Sequence, residues 1–185
     1  VAWIEVMLEE KAQGELAEVY RRIAGSRGKV ANIMRVQSLN PDSMRVHLDL
    51  YLAVTFGPSG LFRNERELIA VVVSEVNGCA YCVAHHGEAL CHYWQDRERV
   101  EQAARDFRAL ELPERTRRIL AYAKRLTCAP HEMKEGDVRR LREVGLSDRE
   151  ILDVNLIVSY FNFVNRIALG LGVGLSPDDI SGYRY

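Results

Sequence analysis

Apolar residues recur at intervals of three and four along almost the whole chain, and the long Val-rich alternations that half-buried strands require are absent. The pattern predicts an all-α fold. A first helix is expected from about Glu9 to Ala24, closed by the Gly-Ser-Arg-Gly turn that follows it. Asn40 with Pro41 supplies an N-cap and a first-turn proline for a helix reaching about Phe56, after which Gly-Pro-Ser-Gly breaks the chain. Asn64 opens the next helix. Its segment ELIAVVV, Glu67 to Val73, is apolar on nearly every side and so belongs at the centre of a bundle. Asn77 and Gly78 stop it, and a helix carrying CAYCVAHHGEAL follows. Asp96 can cap a helix to about Leu110, Pro113 opens another to about Thr127, and a short one near Asp137 to Val144 ends at Gly145. Ser147 and Glu150 have capping-box spacing at the head of a last long helix to about Leu169.

Two segments, RELIAVVVSEVN and REILDVNLIVSYFN, share an Arg-Glu start and a VS-x-x-N end, although two extra residues in the second spoil the alignment and leave only a weak suggestion of a repeat. With 185 residues, 48% of them hydrophobic, the chain can bury one proper core, so residues 1–185 are read as a single helical domain. Within it the buried central hairpin covers about 64–94. The last stretch, about 176–185, is too polar for a core element and is expected to be a loose end or an arm across a neighbouring subunit. Twenty-five basic residues against 26 acidic ones give a formal charge of -1, which offers no electrostatic reason for a nucleic-acid partner. The apolar stretches are too short to span a bilayer, and no basic segment followed by an apolar run opens the chain, so no membrane association and a cytoplasmic location are expected.

The chemistry concentrates in VNGCAYCVAHHG, Val76 to Gly87. Four cysteines in a chain this long do not make a disulfide-stapled secreted scaffold, and a close pair in a reducing compartment points to redox or metal chemistry. At about 100° per residue, Cys79, Cys82 and His86 fall on one stripe of a helix, whereas His85 is turned about 60° from Cys82 and Cys91 lies roughly opposite Cys82. A helix N-terminus and a nearby imidazole both favour thiolate over thiol. Two cysteines at this separation can close a disulfide, so a sulfur oxidised on one is resolved by the other. If Asn77 and Gly78 make a tight turn, Glu67 lies about 15 Å back along one helix and His86 about 12 Å along the other, so the two can meet and the carboxylate can orient the imidazole. Glu67 also stands three residues after Asn64, the position of a capping-box acid, which is an ordinary structural role for it. Zinc would need a fourth ligand such as Cys91 or His92. From the far side of the same helix neither can close a tetrahedron, and no bound metal or cofactor is expected. Cys128, His131, His47 and His92 read as ordinary residues. Tyr51, Tyr81, Tyr122 and Tyr160 read as core, with Tyr81 the one to face the site.

The run RELIAVVVSEVNGCAYCVAHH resembles the signature of the AhpD-like alkylhydroperoxidases, in the peroxidase-related branch of the carboxymuconolactone decarboxylase superfamily. The family pattern of Glu, eleven residues, Cys-x-x-Cys, three residues and His falls on Glu67, Cys79, Cys82 and His86. The likeness extends to GLSDREILDVNLIVSYFNFVNRIALGLGV near the C-terminus. It implies an AhpD-like helical bundle that forms homo-oligomers, and a site role for Glu67. One departure is Tyr81, where the best-known members carry a histidine between the cysteines. Decarboxylase members generally lack the cysteine pair.

The expected function is therefore a thiol-dependent peroxidase. His86, held by Glu67, promotes a Cys82 thiolate that attacks a hydroperoxide, Cys79 resolves the product, and an external dithiol, of lipoyl type for example, reduces the disulfide. The same residues can instead serve as a disulfide reductase or electron adaptor for a partner peroxidase. A zinc-binding or redox-switch helical module is the reading from a different class.

Overall fold

The computed structural model describes residues 2–175, 180 and 182–184, and its regular structure is helical throughout. Nine α-helices lie among the described residues: α1 Gly14–Arg27, α2 Asn32–Arg35, α3 Pro41–Phe56, α4 Arg63–Val76, α5 Ala80–Trp94, α6 Arg97–Asp106, α7 Glu114–Cys128, α8 Glu135–Arg142 and α9 Asp148–Gly170. Short 3-10 turns cover Glu9–Lys11, Phe107–Ala109 and Pro130–Glu132. None of the described helices is long and apolar enough to cross a membrane.

The caps explain most of the boundaries. The Asn40 side chain accepts from the Ser43 N–H, that of Asp96 from the Arg99 N–H, and Ser147 and Glu150 satisfy one another's backbone donors as a capping box. Three places differ from expectation. The helix predicted from Glu9 is a 3-10 turn that stops, and regular α-helix begins only at Gly14, in the left-handed region at φ 53°. α4 starts at Arg63 rather than Asn64, and the acid that accepts its entry N–H is Glu65, whose Oε2 lies 3.0 Å from the Phe62 nitrogen. Glu67 is thereby released from the capping role its spacing suggested. α2 spans a single turn, too short to show a hydrophobic period.

The all-apolar stretch lies at the centre, as its composition requires. Every residue of α4 from Glu65 to Ser74 is buried, and the helix packs against α5, α7 and α9. Its side chains belong to a large core with Ile119, Leu120, Val154, Ile157 and Phe161. A second, smaller cluster unites α1 and α3 through Val19, Tyr20, Ile23, Met44 and Leu48, and α3 leans on α9. Between the two clusters runs a seam. Of the polar tail expected over 176–185, residues 176–179, 181 and 185 lie outside the described residues. Tyr183 and Arg184 fold back on the same chain, where the Arg184 N–H donates to the Arg27 carbonyl at 3.0 Å.

His47, read from sequence as ordinary, is buried in α3 against α9, with Nε2 2.8 Å from the Tyr160 hydroxyl and Nδ1 against the Gln37 amide. Burial lowers its pKa to about 4, so it is neutral in the fold. The unfolded chain, with an ordinary histidine near 6.5, takes up a proton first as pH falls. The stability this residue confers is therefore complete above pH about 6.5 and is lost as pH drops toward 4, at a cost of about 3 kcal/mol. Urea unfolding of the wild type against His47→Gln should show the substitution flattening that acid limb. Parallel limbs would refute the assignment.

Candidate active site

The site is assembled by the α4–α5 hairpin. Asn77 closes α4, Gly78 takes φ 68°, a left-handed value that favours glycine, and the Cys79 N–H donates back to the Ser74 carbonyl at 2.9 Å. Cys79 thereby becomes the N-cap residue of α5, with Cys82 one turn inside. The helices run antiparallel, and His86 Nδ1 meets Glu67 Oε2 at 2.7 Å. Sequence reasoning anticipated that meeting. It missed the second partner, because Arg63, one turn before Glu67 on α4, donates from Nη2 to Glu67 Oε1 at 2.5 Å. Arg63 also donates from Nη1 to the Thr55 carbonyl at 2.6 Å, and its guanidinium covers the Phe56 ring at 4.0 Å.

Glu67 is 1% exposed. Burial alone pushes its carboxyl up. His86 and Arg63, by charge and hydrogen bonds together, outweigh that and hold it below the usual carboxylate range. The imidazole is fixed from the other side by an edge-to-face contact with Phe161 at 4.5 Å.

Both cysteines are buried and free, and their sulfurs share a hydrogen bond at 2.7 Å. The two respond in opposite directions. Hydrogen bonding from Cys82, aided by Asn165, holds Cys79 below the usual thiol range against the effect of burial. The same bond and deeper burial push Cys82 up. What separates them is their shared bond, which lowers Cys79 and raises Cys82, whereas the Asn165 amide, which comes from α9 and carries no local signal near the motif, lowers both. Among the described residues His86 makes no direct hydrogen bond to either sulfur. Access divides them the other way, since Cys82 lines a cleft in the seam between the clusters and Cys79 does not.

That cleft encloses about 710 Å³ of non-protein space up to and including its open mouth. Tyr81 lines it, buried as expected, and its hydroxyl accepts from the Ile33 N–H at 3.2 Å. His85, set aside by the angular count, lines it too, between the rings of Tyr81 and Tyr183. Tyr160 and Arg27 complete the wall from α9 and α1. Cys91 is half-buried and Cys128 exposed, both away from the cleft. Among the described residues, no three side chains of His, Cys, Asp or Glu converge as a metal-ligand set.

Because the folded pKa of Glu67 is depressed, its contribution to stability is fully present above the unfolded carboxylate pKa, near 4.3, and is lost as pH falls through the lower folded value. Glu67→Gln leaves the Arg63 charge without its counter-charge and should cost about 3 kcal/mol at pH 7, measured by urea unfolding, with the deficit shrinking in acid. An unchanged unfolding midpoint would refute the buried ion-pair account.

Residues 41–125, from α3 to most of α7, match the model of the carboxymuconolactone decarboxylase family. The Bacillus subtilis (strain 168) protein YdfG is 29% identical over 144 residues, 71% of this chain and 88% of its own. Two crystal structures of peroxidase-related proteins superpose nearly end to end. The one from Silicibacter sp. TM1040 is 28% identical with a TM-score of 0.88, covering 99% of this chain and 96% of its own. The one from Ralstonia eutropha JMP134, described as an alkylhydroperoxidase AhpD core, is 27% identical with a TM-score of 0.87, covering 97% and 94%. With the hairpin of Glu67, Cys79, Cys82 and His86 inside the matched segment, residues 41–125 form a carboxymuconolactone decarboxylase family domain, set in the AhpD-like fold of the peroxidase-related proteins.

Proposed function

We propose that the protein is a thiol-dependent peroxidase that reduces organic hydroperoxides through Cys82 and Cys79. The observation that carries this reading is the division of the pair: Cys82 is open to the cleft, while Cys79, in contact behind it, is the sulfur whose charge is favoured. Cys82 passes its proton to the Cys79 thiolate across their shared hydrogen bond. The Cys82 thiolate so formed attacks the outer peroxide oxygen and breaks the O–O bond, the leaving alkoxide taking that proton back from Cys79. This leaves a sulfenic acid on Cys82 and releases an alcohol, whose proton is the one that was on the Cys82 thiol. The Cys79 thiolate then attacks the Cys82 sulfur and expels hydroxide, which leaves as water after taking a proton from His86 or solvent. The result is a Cys79–Cys82 disulfide, two electrons having passed from the pair to the peroxide. An external dithiol returns them by exchange and is itself oxidised to a disulfide. Glu67 and Arg63 are positioning residues that fix the imidazole.

Burial of both sulfurs, at 1% and 2% exposure, favours a slender peroxide and a slender dithiol of lipoyl type over direct exchange with the disulfide of a folded protein. The electron-adaptor reading is weaker for that reason. A homo-oligomer also belongs to the proposal. The outer stripe of α9, Leu152, Leu156 and Phe163, is exposed in the single chain, as are Val46 and Leu50 on α3, and this is the surface we assign to subunit contact. Light scattering at micromolar concentration should give an oligomer that Leu156→Arg weakens. A monomeric wild type would overturn the assignment.

The redox test is direct. Peroxide should convert the reduced protein to the Cys79–Cys82 disulfide, read by peptide mass spectrometry. Cys82→Ser should be inert, Cys79→Ser should stop at a dimedone-reactive sulfenic acid on Cys82, and His86→Ala should slow oxidation by about 100-fold. Oxidation confined to Cys91 or Cys128 would sink the proposal, and a Cys82→Ser protein that still reacts at Cys79 would reverse the roles.

A further inference from the structure

Most of the cleft wall is apolar, including Ile23, Met34 and Leu48, yet a cation is built into it. Arg27 closes α1 and is only 9% exposed, with its guanidinium 4.5 Å from the centre of the Phe56 ring and 5.4 Å from that of Tyr51. Its Nη1 donates to the Arg184 carbonyl. No carboxylate pairs with Arg27 among the described residues, and its other nitrogens make no hydrogen bond there. The one acid among the described lining residues is Glu67, already engaged by Arg63 and His86. Lys29 also lines the cleft, its ammonium 4.9 Å from the centre of the Tyr183 ring.

Removing a guanidinium from water is costly, and one carbonyl and two ring faces do not replace an anion. Holding the C-terminal segment does not account for the charge. The Arg184 N–H bonds the Arg27 carbonyl and the Arg184 Nη1 bonds the Gly25 carbonyl, contacts that any residue at position 27 could support. What the arrangement lacks is a planar two-oxygen acceptor, the group a guanidinium fork fits best.

We infer that Arg27 is a specificity-determining residue that binds the carboxylate of an apolar hydroperoxy acid while the peroxide reaches Cys82, with Lys29 adding to the positive potential. This deepens the peroxidase reading and rests on it for the identity of the reacting group. The primary test is the ratio of kcat/KM for a hydroperoxy fatty acid to that for its methyl ester. The wild type should prefer the acid by about tenfold or more, the preference a charge-assisted hydrogen bond supplies. Arg27→Met should bring the ratio near one, and Arg27→Lys should keep part of it. A purely structural role would scale both substrates together, and an unchanged ratio in Arg27→Met overturns the inference.

Equilibrium binding of a plain fatty-acid anion and its methyl ester, by calorimetry, separates the two proposals. If neither peroxide is turned over, the peroxidase reading fails, while selective binding of the acid that Arg27→Met abolishes still supports the anion site. Equal binding of acid and ester by the wild type overturns it. Should Arg27→Met fail to fold, Arg27→Gln is read by the same two ratios.

Discussion

The structure turns on a buried carboxylate. Glu67 sits in the most enclosed helix of the bundle, where an isolated negative charge would be intolerable, and it persists because two cationic or hydrogen-bonding partners reach it from opposite directions. Arg63 is supplied by its own helix. The imidazole must come from the next one, which fixes the register of the α4–α5 hairpin and with it the place of both sulfurs. The turn at Asn77 and Gly78 is short because that register allows no slack. Asn77 in turn donates to Asn162 and Asn165 on α9, so the same constraint ties the hairpin to the last helix.

Local chemistry was well marked in the sequence. Asn40 with Pro41, Asp96, and Ser147 with Glu150 announce helix starts because a cap acts within one turn. The juxtaposition of Glu67 and His86 could be counted out because helix rise is constant across a tight turn. What could not be read was set by packing between distant elements. Arg63 carries no spacing signal of its own, because its role depends on the fold bringing Thr55 and Phe56 against it. Asn165, Tyr160 and Arg27 are brought to the site from α9 and α1, and no spacing near the cysteines points to them. The weak VS-x-x-N similarity has a physical counterpart, since its two terminal asparagines, Asn77 and Asn162, lie in hydrogen-bond contact at 3.1 Å. The capping position that spacing gave to Glu67 falls instead on Glu65 because α4 begins earlier, at Arg63, a boundary set by the preceding loop.

The two sulfurs illustrate how access and ionisation can be assigned to different atoms of one motif. The hydrogen bond between the two sulfurs favours charge on Cys79, which does not line the cleft. The cleft reaches Cys82, which gives up exposure to charge for exposure to ligand. A thiolate kept away from bulk solvent is also shielded from over-oxidation, because only what enters through the cleft meets the pair.

The seam between the two hydrophobic clusters gives the molecule an uneven resistance to opening. The α1 and α3 layer rests on a far smaller buried cluster than the α4, α7 and α9 centre, so it separates at lower free energy than the whole fold unfolds. The hairpin that carries Cys79 and Cys82 belongs to the durable part and one wall of the cleft to the compliant part. Residues such as Met44, which belongs to the small cluster but not to the cleft wall, therefore govern how often the cleft widens, and amide exchange in α1 and α3 would run ahead of exchange in α4.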